Sequence, residues 1–439
     1  MFLSGPISIH AKEDKDVEIA VVGAGIAGIA AAYYLCAGRK KNSVLLIDSR
    51  QPMSFTSAQS GDNYRNWWPH RTMTDFTNDS IDELDRLARD SENIFQMTRG
   101  GYCLATRRSD VEEILAAIPG DIDVDVLTTT EKIRKTFPAL SADIRSVVHV
   151  LRGGDISGQQ LGQHLLTAFG TAGGKRLQGE VTAIASDGRY QLEVSSESGA
   201  QKIKADIVVN AAGPFVGRIA RMLGCELPVK NVYQQKIAFE DHLGAVPRDM
   251  PFSIDLDAKR LGWSDEEQSL LSSDPELGWL ADELPGGSHC RPDGGMNGKW
   301  VKLGWAYNKQ TVEPQEDLAN EPAIDPSFPE IVIRGTAAFI PAMQAYVTSP
   351  PTRFSHYGGY YTMTDENWPL IGPLDSRGAF VIGALSGFGS MAACAAGKLC
   401  AAYVLGDALP DYAADLSLAR LDNTDLLAEL AASKNKGLL

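Results

Sequence analysis

Gly23, Gly25 and Gly28 stand in G-x-G-x-x-G spacing, and Asp48 follows Gly28 by 20 residues. Glycines at that spacing cradle a pyrophosphate. The first permits a tight turn, the second lets phosphate approach the backbone, and the third lets a helix pack on its strand. Free N–H groups at the helix start, in the turn that holds Ile26 and Ala27, would face the phosphates. Asp48, with Ser49 and Arg50 beside it, is placed to accept a hydrogen bond from a ribose hydroxyl. An acid there would repel the extra phosphate of NADP. The elements needed to position these groups are legible around them. A β-type run (Ile19 to Val22) precedes the glycines, an Ala-rich helical pattern runs to about Ala37, and a second apolar run (Val44 to Ile47) ends at Asp48. Strand, glycines, helix, strand and acid in register favour a dinucleotide site over an ordinary βαβ unit.

The whole chain bounds what surrounds this unit. Its 439 residues suffice for two or three domains. Apolar residues make up 44% and charged residues 22%, as in water-soluble globular proteins. A net charge of −15 argues against nucleic acid or an anionic membrane as partner. No apolar run approaches the ~18 residues of a membrane span. Cys36, Cys103, Cys225, Cys290, Cys394 and Cys400 form no C-x-x-C pair, which fits a reduced, cytoplasmic setting. The seven histidines show no metal-ligand spacing, so no metal site is expected.

Further along, a polar loop covers Ser49 to Arg71, and helical periodicity runs from about Thr77 to Thr98. Gly101 to Thr106 reads as a strand, and 109–138 as short helices. A helix is expected over Gly158 to Ala172, and strands over Gly179–Ala185 and Gln191–Val194. Ala205 to Gly213 reads as a buried strand ending in small residues. Residues 231–334 are mostly strand-like, with a polar insertion at about 257–298. Residues 356–404 hold strand, loop, strand, a glycine-rich turn and an Ala-rich helix. The order suggests a nucleotide domain interrupted twice by a second, sheet-containing domain.

The ensemble resembles the flavoprotein amine and amino-acid oxidases of the D-amino-acid oxidase superfamily, and within it the monomeric sarcosine oxidase-like branch. The carrying motifs are VVGAGIAGIAAAYYL with Asp48, SAQSGDNYR (57–65), GEVTAI (179–184), VVNAAGPFVG (208–217), GKWVKLGW (298–305), GGYYTMTDENWPLIGP (358–373) and GALSGFGS (383–390). The resemblance implies an α/β fold: a Rossmann-type FAD-binding domain with a discontinuous second, mainly antiparallel-sheet substrate domain. The expected division is a disordered extension over 1–16, an FAD-binding domain over 17–98, 154–230 and 335–425, and a substrate domain over 99–153 and 231–334.

FAD is the cofactor that the resemblance implies. Gly23, Gly25 and Gly28 would meet its pyrophosphate and Asp48 its ribose. Ser57, Ser60 and Gly61 match the loop beside the flavin, and Val181 the adenine contact. Ala211, Ala212 and Gly213 match the turn near the phosphates. Gly387, Phe388, Gly389, Ser390 and Met391 match the helix start at the pyrimidine end, where a helix dipole stabilises negative charge on reduced flavin. Lys302 resembles the lysine that in sarcosine oxidases promotes electron transfer to O2, because a fixed cation stabilises superoxide. Arg65, Trp67, Trp305, Tyr360 and Phe388 are candidates for the substrate pocket, although core packing explains most aromatics.

Departures from the branch are equally informative. Gly358 and Gly359 fall where that branch carries its flavin-linking cysteine, so FAD is expected to be non-covalent. Met391 replaces a lysine that helps to bind the substrate carboxylate, and the G-x-R-P of glycine oxidases is absent. These changes point from a simple α-amino acid toward a secondary or bulky amine. The expected reaction is oxidation of a C–N bond: hydride passes from the amine α-carbon to flavin N5, the imine hydrolyses, and O2 is reduced to hydrogen peroxide. The alternatives are a dehydrogenase of the same fold that uses a quinone or carrier, and an FAD-binding subunit of a hetero-oligomeric dehydrogenase. Oligomeric state, including a homo-oligomer, stays open.

Overall fold

The computed structural model describes residues 15–38, 43–116, 122–316 and 324–433. Two sheets dominate. In the first, the strand order is Leu370–Pro373, Ala379–Gly383, Gly199–Asn210, Lys15–Val22, Val44–Asp48, Lys175–Gln178. All pairings along this path are parallel except the edge pair 370–373/379–383. Such a sheet is covered on both faces, which explains why Ile19–Val22 and Val44–Ile47 read as unbroken apolar runs. An antiparallel flap, Glu180–Ser186 with Tyr190–Ser196, extends from Gly199–Asn210.

On one face lie the helices Ile26–Gly38, Arg71–Asp90, Gly158–Thr171 and Gly389–Leu405. They share a core with Ile19, Leu46 and Val209. Their small residues let backbones approach closely. A Cβ on Gly397 would come within 2.8 Å of Ala30 Cβ, so the first and last of these helices cross at near-contact.

The second sheet has the order Phe354–Met363, Lys230–Glu240, Trp300–Gly304, Ser288–Asp293, Phe252–Asp255, Tyr102–Thr106, Ser146–Val150, Val124–Leu127. It is antiparallel apart from the 252–255/102–106 pair. The helix Phe328–Ala337 and the turn at Gln344–Thr348 cover one face, burying Ile237, Leu303, Trp305, Phe328 and Tyr346 together. This is the expected α/β architecture with a second, mainly antiparallel sheet.

The element boundaries correct several expectations. The first strand begins at Lys15, inside the extension expected over 1–16; residues 1–14 lie outside the described residues. The helix placed at 77–98 spans Arg71–Asp90, because His70 caps its start by accepting from Thr72 N–H. Val124–Leu127 is an edge strand within a stretch expected to be helical. The polar insertion at 257–298 holds the helix Asp265–Ser273, started by a Ser264/Glu267 capping box, and the strand Ser288–Asp293. Residues 335–363 belong with the second sheet, not with the nucleotide domain. Phe354–Met363 pairs along the whole of Lys230–Glu240, and Ile340, Met343 and Tyr346 pack in that sheet's core. Among the described residues, no helix is long and apolar enough to cross a membrane.

Candidate active site

Where the first strand ends, Gly23 takes φ +112°, a conformation that side chains disfavour. A Cβ there would come within 2.2 Å of Ala211 O, and one on Gly28 within 1.9 Å of Gly23 O. Turn, helix and neighbouring strand thus meet backbone to backbone. Ser57 Oγ accepts from Ile26 N–H at 3.0 Å and sits 3.1 Å from where a Gly25 Cβ would be. Asp48 braces the same turn: Oδ2 accepts from Ala24 N–H at 2.6 Å and Oδ1 from Arg50 N–H at 2.8 Å. Gly23, Gly25, Asp48, Arg50, Ser57 and Ala211 to Gly213 line a cleft of about 450 Å³. A neighbouring recess of about 410 Å³ adds Ser49 and Val181. Ala27 lies in the first turn of Ile26–Gly38. These residues fit a dinucleotide, since the cradle is one that any Cβ would fill.

The loop from Ser57 to Gly61 joins this cleft to an open cavity of about 1240 Å³ between the two sheets. From the nucleotide side come Gly61, Asn63, Arg65 and Trp68, and Gly387 and Phe388 from the start of the last long helix. Ala384 and Ser386, just before, have φ +54° and +45°, strained values that recur at functional turns. Gly387 is required because a Cβ would meet the Tyr361 ring at 2.4 Å. From the second sheet come Lys236, His289 and Tyr361, with Tyr102 and Phe252 behind them.

The cavity is electrostatically one-sided. Arg65, Lys236 and Lys309 line it, and among the described residues no carboxylate does. Arg65 is buried among rings, its guanidinium carbon 4.9 Å from the Tyr102 centroid and 5.2 Å from Trp68. Burial pulls its pKa down. Lys236 Nζ stands 5.4 Å from the Tyr361 centroid. His289 stacks on Phe252 at 5.0 Å, and its Nδ1 lies 2.9 Å from Gly287 O. Burial, with that carbonyl opposing, pushes its pKa to about 4. The ring is therefore neutral at pH 7. The carbonyl partner assigns the proton to Nδ1 and leaves Nε2 as an acceptor.

Several expected residues land elsewhere. Lys302 is not on the cavity wall: Nζ lies 3.4 Å from Asp293 and 3.7 Å from Asp62, in a charged cluster with Arg291 and Asp155. Burial raises the Asp155 pKa. Trp305 belongs to the core of the second sheet and donates Nε1–H to Pro285 O at 3.1 Å. Trp67 packs with Leu104 and Val148, while Trp68, the next residue, faces the cavity. Tyr360 points to the nucleotide side, 6.1 Å from Phe55, and accepts from Gln315 N–H at 2.9 Å. Tyr361 takes the cavity face, because alternate strand residues point oppositely. Met391, expected among the cofactor contacts, is buried in the helical core and is not on the cavity wall. Ser390 Oγ donates to Ser60 Oγ at 2.9 Å, tying the helix start to the loop from Ser57 to Gly61. Gly389 opens the helix. Strand parity was the signal that could have found Tyr361. For His289, inside a stretch read as a polar insertion, there was none.

A parallel sheet with a glycine cradle, feeding a cavity against a second sheet, is the arrangement of a dinucleotide-binding enzyme. The chain belongs to the family described as FAD dependent oxidoreductase, whose model matches residues 18–403. It is 24% identical over 267 residues to human mitochondrial dimethylglycine dehydrogenase, covering 57% of this chain and 30% of that protein. The chain thus spans under a third of that relative's length. Among solved structures it resembles L-proline dehydrogenase from P. horikoshii (TM-score 0.72, 19% identity, 94% of this chain and 99% of the other). Glycine oxidase from Geobacillus kaustophilus is similar (TM-score 0.73, 17% identity, 92% and 99%). FAD is accordingly the cofactor, and the expected superfamily agrees with the family match.

Proposed function

We propose that the protein oxidises the C–N bond of a bulky amine that carries an anionic group. The observation that carries this reading is the cavity wall, where, among the described residues, three cations and no carboxylate stand among aromatic rings. It narrows the expected secondary or bulky amine to one that also carries an anionic group. The dimethylglycine, proline and glycine named for the similar proteins all carry one.

The chain's own groups have distinct tasks. Arg65 and Lys236, both buried residues, offer donors to a carboxylate, and charge-assisted hydrogen bonds are stronger than neutral ones. Trp68, Tyr102, Phe252 and Phe388 give the apolar part of the substrate a matching surface. His289 Nε2 accepts a hydrogen bond from the amine N–H. The neighbouring cations disfavour an ammonium and so hold the amine as the free base, with its lone pair available. FAD, when bound, supplies the two-electron acceptor; the glycine cradle and Asp48 would hold its nucleotide end. Gly387 and Phe388 would stand at its ring system.

As the final electron acceptor we propose O2, with Lys302 as the oxygen-side cation. It shares a sheet face with Lys236 and His289, and its partner Asp62 follows Gly61 of the cavity wall. One observation favours the rival reading, a dehydrogenase that uses a quinone or carrier: the Lys302 ammonium is already matched by Asp62 and Asp293. Turnover with O2 as sole acceptor separates the two.

The substrate reading is tested by anaerobic bleaching of the flavin with paired amines that differ only in a carboxylate. A bulky N-methyl amino acid should reduce the flavin at least tenfold faster, at equal low concentration, than the same amine without its carboxylate. Equal rates for the two would remove the anion-binding role of the cavity.

A further inference from the structure

Outside the cavity, a second charged assembly lies over the nucleotide cleft. The segment from Ala306 to Glu316 leaves the second sheet at the cavity, where Ala306 and Lys309 stand on its wall. It is fastened as it runs. Asn308 Nδ2 donates to Tyr233 O at 3.0 Å, and Asn308 O accepts from Gln234 Nε2 at 2.7 Å. Thr311 bridges to Val232, Val312 N–H donates to Asn231 O at 2.9 Å, and Gln315 N–H reaches Tyr360 Oη. It arrives at the cleft with Glu316.

There Glu316 joins two arginines from opposite walls. Its Oε2 accepts from Arg50 Nη2 at 2.5 Å, and its backbone O accepts from the same nitrogen at 2.5 Å. Its Oε1 accepts from Arg218 Nη1 at 2.7 Å. Arg50 follows the ribose-side acid Asp48, whereas Arg218 belongs to the helix Val216–Met222 after the Ala211–Gly213 turn. Both lie on the recess that holds Val181. The arginines are also stacked. Arg50 Cζ is 4.2 Å from the Phe55 centroid and 5.5 Å from Phe215, and Arg218 Cζ is 4.8 Å from Phe215. The rings orient the guanidinium groups, so the carboxylate meets two prepositioned forks.

We propose that Glu316, Arg50 and Arg218 form a clasp that closes the cleft over the nucleotide half of FAD and keeps the non-covalent cofactor from leaving. The inference rests on the FAD reading and extends it: the cofactor is retained by a strap from the substrate domain as well as by the glycine cradle. Because the strap begins at Lys309 on the cavity wall, the two ends of FAD are enclosed by one continuous segment. An isolated exposed ion pair contributes little. Here one carboxylate carries a bond to each arginine across a gap, so its loss leaves only the Arg50 bond to the Glu316 backbone oxygen.

The test uses holoprotein and follows release of FAD as recovery of free-flavin fluorescence after dilution. E316Q should release FAD about five- to tenfold faster, the scale of one to two exposed ion pairs. R218Q should do the same. The double variant should be no faster than E316Q alone, since Arg218 acts through the Glu316 carboxylate. Raised salt should speed release from wild type more than from E316Q. Unchanged melting of the apoproteins would confirm that the fold is intact. An E316Q that holds FAD as long as wild type, or longer because freed arginines grip phosphate, overturns the clasp alone. Additive effects in the double variant also overturn it. A wild-type chain that takes up no FAD overturns the clasp together with the cofactor reading.

Discussion

Lys236 and His289 stand on either side of Gly304, each in register with it across its two neighbouring strands. A Cβ on residue 304 would come within 2.4 Å of His289 Nε2, so glycine there leaves the acceptor nitrogen room. Lys302 lies two residues along the same strand, opposite Ala238 and Arg291, and turns to the carboxylates of Asp62 and Asp293. Two lysines thus share one sheet face with different surroundings, and the two halves of the reaction should tell them apart.

Lys236→Met should lower the rate constant for anaerobic flavin reduction, relative to substrate concentration, by about 10²-fold, the usual loss for one electrostatic contact. Flavin reoxidation by O2 should change little. Lys302→Met should do the reverse, with reoxidation slowed by about 10²-fold. Stopped-flow measurement of both half-reactions gives the answer. If Lys236→Met slows reoxidation and Lys302→Met does not, the oxygen-side cation is the cavity lysine.

FAD should come away intact on denaturation. Gly358 and Gly359 offer no thiol, and a Cβ on Gly359 would stand 3.1 Å from Gln59 Cβ. Acid or heat precipitation should leave all the yellow colour in the supernatant; flavin retained in the pellet contradicts this. Asp48→Ala should weaken FAD binding by about 1.5–3 kcal/mol through the lost charge-assisted bond. The structure adds a second expectation. Asp48 holds Ala24 and Arg50 N–H groups, so the variant should also lower the melting temperature of the apoprotein. A normal FAD dissociation constant would remove Asp48 from the site.

Much of this was legible in the sequence, and the exceptions share a cause. The Gly23 to Asp48 unit is local, and its backbone-to-backbone contacts leave a spacing that reads directly. The face that a strand residue presents depends on pairing register, which is set by partners far away in the chain. Tyr360 and Tyr361 cannot be assigned until Lys230 to Glu240 is in place, and Trp67 and Trp68 lie in irregular chain after Asn63–Arg65, where no period applies. The domain boundary at 335 failed similarly. Phe354–Met363 follows a helix, as a nucleotide-domain strand would, but pairs with Lys230–Glu240 of the second sheet. His289 was hidden by composition: its strand is embedded in a Gly- and Pro-rich segment whose turns read as a loop.

Trp305 and Trp68 should separate stability from specificity. Trp305 is enclosed by Phe328, Tyr307 and the Lys259 side chain in the core of the second sheet. Trp305→Ala should cost about 3–5 kcal/mol of stability, as large-to-small core changes do. The ranking of substrates in the surviving folded protein should not move. Trp68→Ala should reorder that ranking in favour of larger amines, because the cavity widens beside Phe388, whose ring lies 4.8 Å from Trp68. Urea unfolding and a kcat/KM panel check both, and a changed ranking in Trp305→Ala would return that residue to the pocket.

The neutrality of His289 gives a pH signature. Its pKa in the folded chain is about 4, pushed down by burial. In the unfolded chain it returns toward the ordinary ~6.5. Between these values the unfolded state binds the extra proton, so the contribution of this group is fully present above pH ~6.5 and is lost as pH falls toward 4. Lys236 and Arg65 face the ring from two elements and oppose its protonation, with Lys309, Tyr102 and Tyr361 also on the cavity wall. Burial raises the Tyr102 pKa to about 12, so that hydroxyl stays neutral throughout. His289→Gln keeps a hydrogen-bonding side chain but has no proton to gain. Its melting temperature should therefore fall less steeply than that of wild type between pH 6.5 and 4. Activity should report the same ring differently. With a neutral acceptor at every working pH, anaerobic flavin reduction should rise with pH as the amine becomes the free base, with no inflection near 6.5. His289→Phe should lose about 10- to 100-fold in that step, the low end for removing a positioned hydrogen-bonding group, and His289→Gln should recover part of it. A clear inflection near pH 6.5 in wild type that vanishes in His289→Gln would show that the ring titrates in the cavity, and would replace the neutral acceptor by an ionising base.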